Sequence, residues 1–221
     1  MLKRLINSLL SAGRAFSAIK KYQITVQRRE KIIMNKWNLK NALGMLIYLL
    51  LYVIGTILVC MTGIIHPVFF VCYQITAGIV LTVIVIKAFD QLKTFGVAAG
   101  LSAGVIILML VMDDAVLWHV IPIITIAAAA EIIRYLFKYS WTGNLVGAAI
   151  MTFSTFGYYA QIWFNRDYTY EHATEEMPAG YADTLMAVSP MWALPVVIIA
   201  GIALSAVTAN AAAKLFKLEK K

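Results

Sequence analysis

The sequence predicts an all-α membrane protein, a bundle of six transmembrane helices with both termini cytoplasmic. Three observations carry that prediction. Of 221 residues, 62% are hydrophobic and 14% charged, against roughly 45–50% and about 25% in soluble domains. The apolar residues gather into six runs, 41–62, 67–86, 95–112, 116–133, 143–164 and 189–210. Each is close to the roughly 20 residues a spanning helix needs and about twice a barrel strand. Finally, eighteen of the nineteen Lys and Arg residues fall on one side of the alternating connections, Arg166 being the exception, and such an excess marks the cytoplasmic side.

The same arithmetic excludes a water-soluble globule, a disordered chain and a collagen-like rod. With over half the chain in apolar runs and a mean hydropathy of +0.80, no soluble catalytic domain fits. Three parts are expected: a basic N-terminal segment, 1–40, a transmembrane domain, 41–213, and a basic tail, 214–221. In the first, Leu2, Leu5, Ile6, Leu9 and Leu10 recur at helical spacing among Lys3, Arg4 and Arg14, which reads as an amphipathic helix lying on an anionic leaflet. A signal peptide competes with this reading, although Asn7 and Ser8 interrupt its apolar core. A start of translation at Met34 is a third.

The runs themselves are helices because a helix satisfies its own backbone inside hydrocarbon. Ten basic residues precede the first run, Lys87 and Lys93 follow the second, Arg134 and Lys138 the fourth, and Lys214, Lys217, Lys220 and Lys221 the last. The opposite connections hold Asp113, Asp114, Asp167, Glu171, Glu175, Glu176 and Asp183, seven of the eleven acids. The fifth connection, about 24 residues between runs, is long enough for a lid or binding loop. Cys60 and Cys72 lie inside apolar runs and read as packing residues.

Chemistry is excluded more readily than assigned. There is no phosphate-binding GxxxxGK[ST] loop, HExxH zinc motif or GxSxG elbow, and no carboxylate stands at the centre of a run, where an ion-coupled carrier or intramembrane enzyme needs one. No nucleic-acid partner, cofactor or metal site is expected. Glu131 and Arg134 read as a solvated cap or an i,i+3 ion pair at a helix end. All three histidines, His66, His119 and His172, lie on the acidic face with Trp118, Trp163, Arg166, Asp167, Tyr168, Tyr181 and Trp192. Aromatics gather at both membrane interfaces, whereas this set is one-sided, and apolar walls with a few polar groups make a pocket. Pro195 reads as a tolerated helix-start residue. Arg166 reads either as an anchor for an anionic ligand or as a partner of the nearby acids that holds the long loop closed.

Several stretches in this order resemble the Trep_Strep family of membrane proteins. They are Lys93-Thr94-Phe95-Gly96, Phe164-Asn165-Arg166-Asp167-Tyr168, Gly180-Tyr181-Ala182, and Met186 followed by Ser189-Pro190-Met191-Trp192-Ala193-Leu194-Pro195. The resemblance implies a substrate-binding (S) component of an energy-coupling factor importer. It brings a six-helix fold, a pocket opening outward, and as partners a transmembrane T component and two ATPase subunits or domains. An AxxxA docking pattern is expected on the first helix; the nearest register pairs Ala42 with Leu46, and Gly44 or Gly55 would replace the missing small residue. The last helix is Ala-rich where the family's is Gly-rich.

The expected activity is therefore capture of a small micronutrient outside a bacterial plasma membrane, without enzymatic chemistry in this chain. Three histidines with aromatics suit haem or another metallo-tetrapyrrole, and Trp118, Trp163 and Trp192 suit a flat vitamin. A ligand-free membrane scaffold is the alternative from a different class, and an intramembrane enzyme ranks third.

Overall fold

Asn38 starts the first helix by accepting the backbone N–H of Asn41 at 2.9 Å, satisfying one of the donors a helix leaves unpaired at its start. The structure, a computed structural model, describes residues 37–218, and the expected amphipathic segment falls almost wholly outside them. Helix α1 (Leu39–Ile65) is 27 residues long, about 40 Å at 1.5 Å per residue. It ends at His66, whose extended backbone and Nδ1, accepting from Val68 N at 3.2 Å, start α2 (Pro67–Val71). A turn at Cys72 leads to α3 (Tyr73–Gln91). Next come α4 (Val97–Val111), α5 (Leu117–Leu136), α6 (Trp141–Met151), α7 (Phe156–Tyr159) and α8 (Gln161–Phe164). Last are α9 (Arg166–Glu176), α10 (Tyr181–Val188) and α11 (Ala193–Leu215).

Four of these helices, α1, α3, α5 and α11, are long and apolar enough to cross a membrane. The other two runs differ from expectation. The third yields α4, only 15 residues or about 22 Å. The fifth is not one helix: α6 stops at Met151, turns occupy 152–155, and two single-turn helices complete the run. Thr152 competes with the helical ladder by bonding a nearby carbonyl, and Ser154 and Thr155 turn their hydroxyls to Tyr52 and Tyr73 on α1 and α3. Thr152 Oγ1 donates to Ala149 O at 2.6 Å.

The fifth connection also departs from a loop. It folds into α9, which buries no residue, and α10, which buries Ala182 and Leu185 after Gly180 enters at φ +81°. An apolar run cannot reveal a helix without an apolar face. Asp167 in its first turn favours α9 through the helix dipole.

Two glycines set the close crossing of α3 and α11. A Cβ on Gly78 of α3 would lie 2.5 Å from Gly201 O of α11, and one on Gly201 would lie 2.5 Å from Gln74 Cγ. The Thr82 and Ser205 hydroxyls bond at 2.7 Å one turn further along. Small residues that admit close approach, with a hydrogen bond across, are how helices associate without a hydrophobic drive.

Connections sort to two ends of the bundle. Tyr181 OH donates to Gly63 O at 2.5 Å and Gln161 meets His119 at 2.9 Å, gathering the acidic connections at one end. Trp37 Nε1 donates to Phe95 O at 3.0 Å, and Lys87 Nζ stands 4.9 Å from the Phe216 ring centroid, gathering the basic ones at the other.

Gly201→Leu should therefore lower stability by roughly 1–3 kcal/mol through overpacking, read as a lower melting temperature of the protein in detergent. Gly44→Ala, whose Cβ would meet only Leu92 Cδ2 at 3.5 Å, should leave it equal or slightly higher.

Candidate functional site

Breaking a helix inside an apolar bundle frees backbone groups that water cannot reach, and each then needs an internal partner. Met151 O accepts the N–H of Ser154 at 3.2 Å, and Tyr52, midway along α1, adds its hydroxyl at 2.9 Å. That uses its only proton, so the Ser154 hydroxyl, 2.7 Å away, donates to Tyr52. Gln74 of α3 clamps the same segment: its Nε2 donates to Thr152 Oγ1 at 2.8 Å and its Oε1 accepts from Tyr159 OH at 2.5 Å. Thr155 Oγ1 donates to Tyr73 OH at 2.8 Å, and Cys60 Sγ lies 3.3 Å from that same oxygen. The Tyr73 and Tyr159 rings stack at 4.8 Å and 18°. Tyr52, Tyr73, Gln74, Thr152, Ser154, Thr155 and Tyr159 are all buried. Together they form a polar core without a formal charge.

A second layer covers this core at the acidic end. His119, 4% exposed, is 3.1 Å from Asp114 O and 3.2 Å from its carboxylate through Nδ1, while Gln161 Nε2 sits 2.9 Å from its Nε2. Both ring nitrogens are thus engaged within the fold, Nδ1 by Asp114 and Nε2 by Gln161. Trp163 Nε1 donates to Pro190 O at 3.2 Å. Arg166 donates to Ser189 O at 2.8 Å and Met186 O at 3.0 Å, so its guanidinium collects the carbonyls at the end of α10, where a cation also suits the helix dipole. The loop-holding role expected of Arg166 is present, but its partners are carbonyls rather than acids. Tyr170 OH bonds Asp183 at 2.9 Å, and the carboxylate pushes that phenol above its ordinary value.

The structure thus brings His119, Trp163, Arg166 and Tyr181 into one cover of α8–α10 over α2 and α5. It does not bring in the others. Trp118 and Trp192 are 56% and 69% exposed on the bundle surface, as interfacial belt residues are, so they cannot close on a solute with buried Trp163. His66 is exposed and caps α2, Asp167 is exposed in the first turn of α9, and Tyr168 packs against His172 at 4.1 Å between ring centroids. Of the residues expected to dock a partner, Gly55 is buried against Leu81 and Ile84 of α3, and Gly44 faces Leu92. Ala42 and Leu46 lie on the exposed face of α1.

The core residues of α1, α3 and α6–α7 were missed because a hydropathy count treats Thr and Ser as neutral. Their signal was present as Thr152, Ser154, Thr155 and Gly157 in six consecutive residues. Gly157 is required there, since its Cβ would overlap Trp118 O and Pro122 of α5.

At the basic end, Glu131 and Arg134 form the i,i+3 pair at 3.2 Å, but they are buried rather than a solvated cap. Arg134 also donates to Asn144 Oδ1 at 3.2 Å and Leu92 O at 3.1 Å, and its guanidinium lies 3.8 Å from the Phe89 ring centroid. Glu131 Oε1 accepts the N–H of Ala98 at 2.5 Å. It caps α4, whose own N-cap, Gly96 at φ +93°, has no side chain.

With helices and no strands among the described residues, and four helices of this length and hydropathy, the chain is an integral membrane protein. It belongs to the Trep_Strep family of hypothetical bacterial integral membrane proteins, whose model matches residues 39–220. No curated protein and no solved structure matches it.

Tyr52→Phe should cost about 0.5–1.5 kcal/mol by removing the second donor to Met151 O, which keeps the Ser154 N–H, and the acceptor of the Ser154 hydroxyl. Arg134→Met should cost about 3–5 kcal/mol by stranding the Glu131 carboxylate. Thermal melting of the purified variants measures both, and a smaller loss for Arg134→Met than for Tyr52→Phe contradicts the assignment.

Proposed function

We propose that this chain is the substrate-binding (S) component of an energy-coupling factor importer, taking up a small micronutrient at the plasma membrane of a bacterium. The single observation that carries the reading is the uncharged polar core at the broken fifth run, closed over by a cover that Arg166, Trp163 and Tyr181 tie down. Broken helices are where membrane transporters place their solute sites, because only there does the backbone leave polar groups to offer. In this reading α4 and α6–α8 complete six crossings, and the basic end, with Lys87, Lys93, Arg134, Lys138, Lys214 and Lys217, faces the cytoplasm together with both termini.

A transmembrane T component and two ATPase subunits or domains supply the energy, docking along α1 through the exposed face that holds Ala42 and Leu46. The micronutrient is vitamin-like rather than a metallo-tetrapyrrole. His119 already spends both ring nitrogens within the fold, His66 caps α2 and His172 packs on Tyr168, so the three imidazoles do not converge on an axial ligand position.

The test is uptake and assembly measured together. Co-expressed with a T component and ATPase pair from the same genome, the protein should co-purify with them. Arg166→Gln should then reduce uptake several-fold while assembly stays intact, because it loosens α10 without touching α1. Wild-type uptake by Arg166→Gln removes the cover from the site. Failure to assemble with any such pair, together with tight binding of an unrelated membrane protein, would favour the scaffold.

A further inference from the structure

The chemistry of the polar core restricts what it can hold. Its side chains, Tyr52, Cys60, Tyr73, Gln74, Thr152, Ser154, Thr155 and Tyr159, carry no formal charge. The charged groups around it are already committed: Asp114 to His119, Arg166 to the carbonyls of Met186 and Ser189, and Arg134 and Glu131 to each other at the far end. An ionised solute drawn into this core would be desolvated with nothing to neutralise it. The solute is therefore uncharged where it enters.

Shape and hydrogen bonding narrow it further. Tyr73 and Tyr159 already form a near-parallel stack, at 18°, and a planar ring can take the place of one of them. Beside the stack, the Gln74 amide presents an acceptor and a donor side by side, satisfied by Tyr159 OH and Thr152 Oγ1. Both partners sit on the broken segment, whose backbone bonds around the break are three-residue turns such as Phe153 N–H to Ile150 O and Ser154 N–H to Met151 O. A solute offering an adjacent donor and acceptor replaces both at Gln74; Thr152 Oγ1 keeps its bond to Ala149 O, and the Tyr159 hydroxyl alone is released.

We propose that Tyr73, Gln74 and Tyr159 form a recognition site for an uncharged planar heterocycle bearing a carboxamide- or lactam-type edge. This rests on the solute-binding reading above and names the chemical class of the solute.

The experiment uses the full chain purified in detergent, with matched pairs that differ in charge: nicotinamide and nicotinate, uracil and orotate, riboflavin and riboflavin 5′-phosphate. Melting temperature and intrinsic fluorescence report binding. At least one uncharged member should bind, its anionic partner at least tenfold more weakly. Gln74→Leu should weaken the uncharged member tenfold or more. Tyr159→Phe, which keeps the ring but removes the hydroxyl that competes for Gln74 Oε1, should bind as tightly as wild type or tighter. It also serves as the second variant if Gln74→Leu fails to fold. Equal or tighter binding of the anionic members, no shift with any of the six compounds, or a tenfold loss in Tyr159→Phe overturns the assignment. Binding with this selectivity but no uptake would overturn the importer reading alone, and uptake of an anionic solute would overturn this inference alone.

Discussion

The hydrogen bond from Tyr52 to Met151 O is the contact on which the broken run depends. Met151 O also accepts the N–H of Ser154 at 3.2 Å, so Tyr52 adds a second donor from outside the segment and fixes the break to α1. Tyr52 stands at the middle of α1 and is fully buried, so the long unbroken helix supports the short broken one. Gln74 does the same from α3, which is itself held against α11 by the Gly78 and Gly201 crossing. The rigid pair of helices and the irregular segment are thus one mechanical unit. That geometry lets a polar core persist without charges.

Both ends of the bundle use one device, an arginine that gathers backbone carbonyls. Arg134 ties the end of α3 to α5 and α6 through Leu92 O and Asn144, while Arg166 ties α8 and α9 to the end of α10. Their settings differ. Arg134 is fully buried, paired with Glu131 and covered by Phe89, a geometry that punishes any loss and favours permanence. Arg166 is half-buried and carries no acidic partner in its carbonyl cluster. Its bonds can be exchanged for water at smaller cost.

What the sequence reveals depends on which physical signal each element carries. Long apolar runs without polar interruption, such as those giving α1, α5 and α11, show themselves by hydropathy, and their charge-bearing connections separate in space as they do along the chain. The 152–155 break was hidden because three hydroxyl residues barely lower the mean of a 22-residue run, although Thr152 among them competes with the helical ladder. Helix α9 was hidden for the opposite reason, being polar on every side. Among the candidate site residues, Trp163 and Trp192 look alike in sequence, yet one is 4% and the other 69% exposed. Only the register of the helices around them separates a buried ring from a belt ring. Arg166 was legible as a clamp because it is the lone basic residue on its face. Its choice of carbonyls over carboxylates follows from where α10 ends, which no local pattern encodes.

The central claim is that the polar core, not the aromatic surface, holds the solute. Native mass spectrometry of the protein released from its own membranes tests it most directly. The account predicts one small molecule per chain, retained by variants at the surface rings Trp118 and Trp192 and lost from a folded variant in which Gln74 no longer offers its amide. A bound molecule that survives the loss of Gln74 but is released by replacing Trp118 or Trp192 would contradict it.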